Sequence, residues 1–410
     1  MKKKNSLAFI RNKLIKDNVV YVKELSALLH VSERTIRRYI GELQLSGVAT
    51  KFHGGVKLQK NNPEEVINRT VNEARVFNVE SVSQDKRKTN ENKCLLYILG
   101  SFNLDVVTEV ERFPSVGETV RAISTRFYPG GKGANQAIAA SELNSHVHLF
   151  VKVGDDAFGT DAEKYFSSTK IGSYTLIKDI KAKTGSALVM VENLTGNNSI
   201  IIDQGANATI TKSEILSDIN NLKSAKIFLT QLENNMDITL FAVEMAKMCG
   251  CYVIINPAPY SQDIMPYLSS VDLLIPNGTE AELISGIKIS NLHSAEQAIR
   301  VIHALGVKEI IMTLGDNGAL YFNGSVMKHY NAINASVVDT SGAGDAFTGA
   351  LAARLVEGRN MDEAVKFAVA YGSLAVEKKR CVVYAVREQC RSQTEKGMYV
   401  KEYHINNPYN

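Results

Sequence analysis

The spacing of apolar positions changes character along these 410 residues, and each change marks a boundary. In 6–17, Leu7, Ile10, Leu14 and Ile15 form a helical stripe. A short second helix fits 23–29. A third opens at Ser32, a good N-cap, and turns Ile36, Ile40 and Leu43 inward at i, i+4 and i+7. Two strand-like runs, 48–52 and 56–58, then flank Gly54-Gly55. The pattern predicts three helices and a β-wing.

Residues 61–93 lose this order. They are polar and charge-balanced, which predicts a linker with some helix over 66–79. From Cys94 onward, short apolar runs alternate with amphipathic stretches. Strands are predicted at 95–100, 147–153, 226–230, 252–256, 272–276 and 309–313, with helices between them, such as 294–305. Such alternation implies an α/β domain with a mostly parallel sheet covered on both faces. Two further pieces, 118–128 and a hairpin of 186–192 with 199–202, read as exposed strands that could form a small sheet over a cleft. The expected division is 1–60, 61–93 and 94–410.

Charge sharpens this division. Residues 1–60 hold 13 Lys and Arg against 4 Asp and Glu, a surplus of +9, while the rest of the chain balances at −5. A basic head on a mildly acidic body predicts a nucleic-acid-binding module joined to something else. The five cysteines form no CxxC pair, and an odd, scattered set reads as reduced thiols. No apolar run approaches the roughly 18 residues of a membrane span. The reading is a soluble, cytoplasmic protein without membrane partners.

Chemistry concentrates in four places. In the head, Arg34, Arg37 and Arg38 lie opposite the apolar stripe of the third helix, beside Thr35. Guanidiniums on one helix face suit phosphate contact and guanine readout in double-stranded DNA. In VVDTSGAGDAFTGAL (337–351), the turn Gly342-Ala343-Gly344 precedes a helix that Asp345 opens. Glycines let backbone N–H groups converge on an anion, the helix N-terminus favours negative charge, and Asp345 is placed to take a proton from an attacking hydroxyl. In YPGGKGANQAIAA (128–140), Gly131, Lys132 and Asn135 suit a polyhydroxyl ligand. In GSFNLD (100–105), Asn103 and Asp105 follow the first strand, at the end where open sheets bind ligands. Each motif alone is weak, because Gly-rich turns also serve packing.

The head sequence VSERTIRRYIGELQLSGVATKFHGGVKL closely resembles the winged helix-turn-helix of DeoR-family repressors. Tyr39 departs from that family, which often has Asp there, and could alter the sequence read. The three later motifs, with FPSVGETV, GDDAFG, GANATIT, INPAP, PNGTEAE and TLGDNGA in order, resemble the PfkB-type carbohydrate kinases, the ribokinase group in particular. The resemblance implies a ribokinase-like three-layer α/β sandwich with a small β lid. It also implies transfer of a phosphoryl group from ATP to ribose, with Asp345 as base and Gly342, Ala343 and Gly344 as anion hole.

Further roles follow from the same resemblance. Asn103, Asp105, Gly131, Lys132, Asn135 and Glu233 would line the sugar site. Asn277, Thr313, Gly315, Gly318 and Gly344 would border the nucleotide, and Glu280 would meet Mg²⁺ through water. Asp339 and Ser341 match the start of a monovalent-cation loop, and the lid implies a homodimer. Three positions depart from the pattern: Gly278, Val369, and the segment 379–386, where Arg380 replaces the usual Gly-Ser-Pro return and weighs against potassium activation. The alternatives are a sugar-sensing regulator with little kinase activity, and a kinase of another sugar or a nucleoside.

Overall fold

The computed structural model describes residues 10, 13–14, 19–29, 31–45, 49–52, 54–58, 86–88, 95–143, 146–195, 197–377 and 400–404. Leu7, Ile15, Val48, the helix expected over 66–79 and the departing segment 379–386 lie outside the described residues.

The head comprises β1 (Val19–Tyr21), α1 (Val22–Leu29), α2 (Glu33–Leu45), β2 (Ala49–Phe52) and β3 (Gly55–Leu58), with sheet order β1-β3-β2. Three residues are too few to show alternation, so β1 left no trace in the sequence pattern. Ile10, Leu14, Leu25, Ile36, Ile40, Leu43 and Val56 share one buried core. Tyr39 belongs to that core and is 5% exposed, with the Arg38 guanidinium 5.4 Å above its ring. It extends the stripe of Ile36, Ile40 and Leu43 rather than facing outward with the arginines, so the departure at this position falls in the core of the head.

An eleven-stranded sheet forms the centre of the second unit, in the order β18-β17-β16-β15-β14-β13-β12-β5-β8-β9-β4. Its parallel heart is β5 (Leu96–Leu99), β8 (Val147–Gly154), β9 (Ser173–Asp179), β12 (Ile227–Thr230), β13 (Tyr252–Ile255), β14 (Leu273–Leu274) and β15 (Glu309–Thr313). Antiparallel strands β16 (Ala319–Phe322), β17 (Val326–Tyr330) and β18 (Val400–His404) extend one edge. At the other edge β4 (Lys86–Lys88) pairs antiparallel with β9, so residues within the expected linker join the sheet.

Strand side chains alternate between two cores, as a sheet covered on both faces requires. In β5, Leu96 and Ile98 enter one core and Tyr97 and Leu99 the other. The first core lies under α3 (Lys132–Glu142), α4 (Ala157–Ser168), α10 (Ala343–Val356) and α11 (Met361–Ala375). The second lies under α5 (Lys212–Ser217), α6 (Ile219–Ser224), α7 (Met236–Met248), α8 (Gly278–Ser285) and α9 (Leu292–Ala304). No helix among the described residues is long and apolar enough to cross a membrane.

The lid is a separate four-stranded sheet, order β11-β10-β6-β7, built from β6 (Asn103–Val110), β7 (Ser124–Gly130), β10 (Gly185–Glu192) and β11 (Asn198–Asp203). The hairpin falls where the sequence pattern put it. The other exposed strand begins at Ser124, not at 118, and pairs with β6, which the pattern read as a loop. Polar Asn103, Asp105, Thr108 and Glu109 blur the alternation in β6.

Candidate active site

Two glycine-rich segments cross at the C-terminal end of β5. A Cβ on Gly133 would stand 2.1 Å from Gly100 Cα, and one on Gly131, at φ 95°, would stand 2.7 Å from the Ser101 carbonyl oxygen. Only glycine permits this approach. It brings the start of α3 against Ser101, Phe102 and Asn103.

A small cavity of about 230 Å³ opens here, lined by Asn103, Asn207, Gln204, Glu233, Ile202 and Pro259. Asn207 Nδ2 donates to Asn103 Oδ1 (2.9 Å) and to the Phe102 carbonyl (2.9 Å), and its Oδ1 accepts from Phe102 N–H (3.1 Å). The Glu233 carboxylate accepts from Lys132 N–H (2.9 Å) and from the Ser101 hydroxyl. The β6–β7 register sets Asn103 opposite Gly130 and Asp105 opposite Tyr128.

At the N-terminus of α10, Gly342 takes the left-handed conformation (φ 73°, ψ 4°) and caps the helix. The first helical N–H groups lack carbonyl partners within a helix, so this end favours an anion. Asp345 is 6% exposed in the first turn. Its Oδ2 accepts from Asn135 Nδ2 at 3.1 Å and its Oδ1 from Gln136 Nε2 at 2.9 Å.

The neighbouring carboxyls are electrostatically linked. Burial raises Glu233 above the usual carboxylate range, with the Lys132 ammonium pulling it down and the Asp345 charge pushing it up. Burial likewise raises Glu280, against the Asn277 N–H and Lys132, and again Asp345 adds to the rise. Lys132, Glu233, Glu280 and Asp345 therefore share one field.

Asn277 and Glu280 form a reciprocal capping box at the start of α8. Glu280 N–H donates to Asn277 Oδ1 (2.8 Å), and Asn277 N–H and Nδ2 donate to the two Glu280 oxygens (2.9 Å each). Asn277 also bridges in parallel to Thr313. A larger cleft of about 1100 Å³ takes in Asn277, Thr313, Gly315, Gly318, Ala343 and Gly344, with Val369 on its wall. Asp339 Oδ1 accepts from Ser341 N–H (2.8 Å), and the backbone N–H of Asp339 donates to the Val376 carbonyl (3.1 Å). The other half of the expected cation loop lies outside the described residues.

Among the described residues, no group of three or more His, Cys, Asp and Glu is arranged to hold a metal. Glu280, with both oxygens engaged by Asn277, fits a hydrated Mg²⁺ carried on substrate phosphates, which keeps most of its ligands as water.

Five residues escaped the sequence reading: Ser101, Gln136, Asn207, Gln231 and Asn256. Gln136 and Asn207 stand inside motifs already singled out, but a buried amide on a helix looks like any other helical residue until its partner is known.

In the head, Arg34, Arg37 and Arg38 are exposed on α2. Arg37 rests 3.3 Å from Glu33 one turn back. Thr35 belongs to the helix cap, with its N–H and hydroxyl at 3.3 and 3.0 Å from Ser32 Oγ.

The sequence pattern of the pfkB family carbohydrate kinases matches residues 94–385, and that of the DeoR-like helix-turn-helix domain matches residues 10–62. The chain belongs to the pfkB family of carbohydrate kinases. Its head is a DeoR-like helix-turn-helix domain. A deoxyribokinase from Salmonella typhi is 34% identical over 283 residues, 69% of this chain and 92% of that protein. A ribokinase from Staphylococcus aureus (strain COL) is 35% identical over 283 residues, 68% of this chain and 93% of that protein. The structure of Arabidopsis thaliana ribokinase complexed with ribose and ATP superposes with a TM-score of 0.67 at 32% identity, covering 73% of this chain and 98% of that one. As a pfkB-family kinase, the chain is a phosphotransferase acting on a sugar hydroxyl.

Proposed function

We propose that this pfkB-family kinase transfers the γ-phosphoryl group of ATP to the primary hydroxyl of ribose, with Asp345 as the base that accepts the hydroxyl proton. The carrying observation is the pair of hydrogen bonds that fix the Asp345 carboxylate at the mouth of α10, beside the first-turn amides. A base must lie within reach of the proton it takes, and the anion formed must meet preorganised donors. Gly342, Ala343 and Gly344 supply those donors. Asn103, Asp105, Gly131, Lys132, Asn135 and Glu233 hold the sugar, and Asn277, Thr313, Gly315 and Gly318 border the nucleotide. Bound Mg²⁺ would neutralise charge on the β- and γ-phosphates, with Glu280 orienting it through water. Asp339 and Ser341 would offer oxygens to a monovalent cation, an interaction that Arg380 weakens.

Arg34, Thr35, Arg37 and Arg38 would contact double-stranded DNA. The lid carries exposed Phe127, Leu188, Ile200 and Ile201, which supports pairing of two copies through this face.

The test is ADP release from purified protein with ATP, Mg²⁺ and a panel of ribose, 2-deoxyribose, fructose and adenosine. Ribose should give the highest kcat/KM. A higher value for 2-deoxyribose would reassign the substrate, as the Salmonella relative allows. The DeoR-like head supports a second reading, a regulator whose kinase domain senses sugar. Absence of turnover with every sugar, together with ribose-dependent DNA binding, would select it.

A further inference from the structure

We infer that Gln136 is a positioning residue for phosphoryl transfer: a buried amide, locked in one orientation, that holds Asp345 Oδ1 and so leaves Oδ2 as the oxygen that receives the proton. The inference rests on the reading of Asp345 as base.

Both hydrogens of the Gln136 amide are committed, and its oxygen has a donor. Its Nε2 donates one hydrogen to Asp345 Oδ1 (2.9 Å) and one to Asn256 Oδ1 (3.1 Å). Its Oε1 accepts from Gln231 Nε2 at 2.5 Å. Asn256 is itself fixed, donating Nδ2 to the Ile275 carbonyl at 2.8 Å. Flipping the amide would set its oxygen against Asp345 Oδ1 and Asn256 Oδ1, and its NH₂ against the Gln231 NH₂. All three contacts forbid it, so Gln136 can present only N–H to Asp345. Gln136 is wholly buried and Gln231 is 1% exposed, so no water competes for these bonds.

The two oxygens of Asp345 differ as a result. Oδ1 is held by an amide with no freedom. Oδ2 is held by Asn135, which is only half-buried and makes the longer bond, 3.1 Å. An incoming hydroxyl can displace or share the Asn135 contact. Oδ1 lies on the wholly buried Gln136 side, so the half-buried Asn135 side is the one from which a hydroxyl meets the carboxylate. In the transfer, the sugar O–H bond breaks, its proton goes to Asp345 Oδ2, and the oxygen forms the new P–O bond as the bond to ADP breaks. Gln136 exchanges no proton. It keeps the carboxylate aimed before and during the step. The charged groups coupled to this carboxylate are Lys132, Glu233 and Glu280, which remain unchanged in the test below.

The test compares Gln136→Leu, Gln136→Glu and Gln231→Met with the full-length wild type, measuring kcat and KM for ribose and ATP from about pH 5 to about pH 9. Gln136→Leu should lower kcat by about 10- to 100-fold, with both KM values within about threefold. Gln136→Glu sets a second carboxylate against the base. It should be least active at neutral pH and recover toward acid, where the new carboxyl is protonated and can donate. That recovery toward acid, which Gln136→Leu gains no carboxyl to show, is a readout a purely structural role would not move. Gln231→Met leaves Gln136 in place but removes the donor to its Oε1, and should lower kcat by a smaller factor. It reads the same point if Gln136→Leu fails to fold. A folded Gln136→Leu or Gln136→Glu that keeps kcat within about twofold, or a Gln136→Glu loss that is equal at every pH, overturns the inference. Full turnover by Asp345→Asn would instead overturn the base reading beneath it, so the two failures are distinguishable.

Discussion

Asn135 Nδ2 donates to Asp345 Oδ2 across 3.1 Å, joining two glycine-rich motifs that stand 210 positions apart in the chain. Neither motif has a site on its own. The first supplies polar groups at the start of α3 and the second a carboxylate and first-turn amides at the start of α10. The contact joins two glycine-rich turns into one candidate site.

The first consequence concerns that carboxylate. Asp345→Asn keeps the shape and removes the proton acceptor. It should reduce kcat by about 10²- to 10⁴-fold, with KM for ribose changed by less than about threefold, in a coupled ADP assay. A loss confined to KM would make Asp345 a binding residue.

Glycine at the crossing of the two segments should be indispensable for folding. Gly133→Ala drives a methyl to within 2.1 Å of Gly100 Cα, backbone against backbone, and should cost about 3 kcal/mol or more in urea denaturation. Gly278→Ala is the control. Nothing lies within 4 Å of its Cβ and its φ is not positive, so it should hold stability or raise it by about 0.5 kcal/mol. Equal losses at both positions would mean that the crossing is not the constraint.

A buried network far from the site should make stability depend on acid. Asp218 accepts from His148 Nε2 (2.8 Å), Thr175 (2.8 Å) and Asn221 (2.8 Å). Burial opposes its charge, but the His148 hydrogen bond and charge, with Asn221 and Thr175, win and hold it below its ordinary value of 3.8. A depressed folded value means the stabilisation is fully present above about pH 3.8 and is lost as pH falls below it. Asp218→Asn should cost about 2 kcal/mol at neutral pH, and the gap from wild type should narrow below that point in urea titrations. A gap that stays constant down to acid would assign the stabilisation to something other than the carboxylate.

For the head, Arg37→Ala and Arg38→Ala should each weaken binding to duplex DNA. Each should also flatten the slope of log K against log salt by about 0.9 for every phosphate that is no longer neutralised, with sugar-kinase kcat within about twofold of wild type. Tyr39→Ala should behave differently, melting the head because it removes a core side chain. DNA affinity indifferent to both arginines would exclude α2 as the reading helix.

Much of this protein was legible in its sequence for local reasons. Helical stripes, apolar strand runs and glycine turns depend on periods of a few residues, so the division into head and α/β unit, the parallel strands and the turn before Asp345 could be read directly. Ordered motifs carried the family.

What the sequence could not carry were facts that depend on partners distant in the chain. β6 is a strand because β7 and β10 pair with it, although its own alternation is blurred by Asn103, Asp105 and Thr108. Tyr39 is core because its side of α2 meets the rest of the head. Gln136 is one amide in a helix until the fold brings Gln231, Asn256 and Asp345 around it. A buried polar group must be satisfied, and which group satisfies it is decided by tertiary packing. Composition and spacing thus determined which elements form and what chemistry they bring. Only the tertiary structure decided which amide meets each oxygen of Asp345, because hydrogen-bond direction is fixed by neighbours in space.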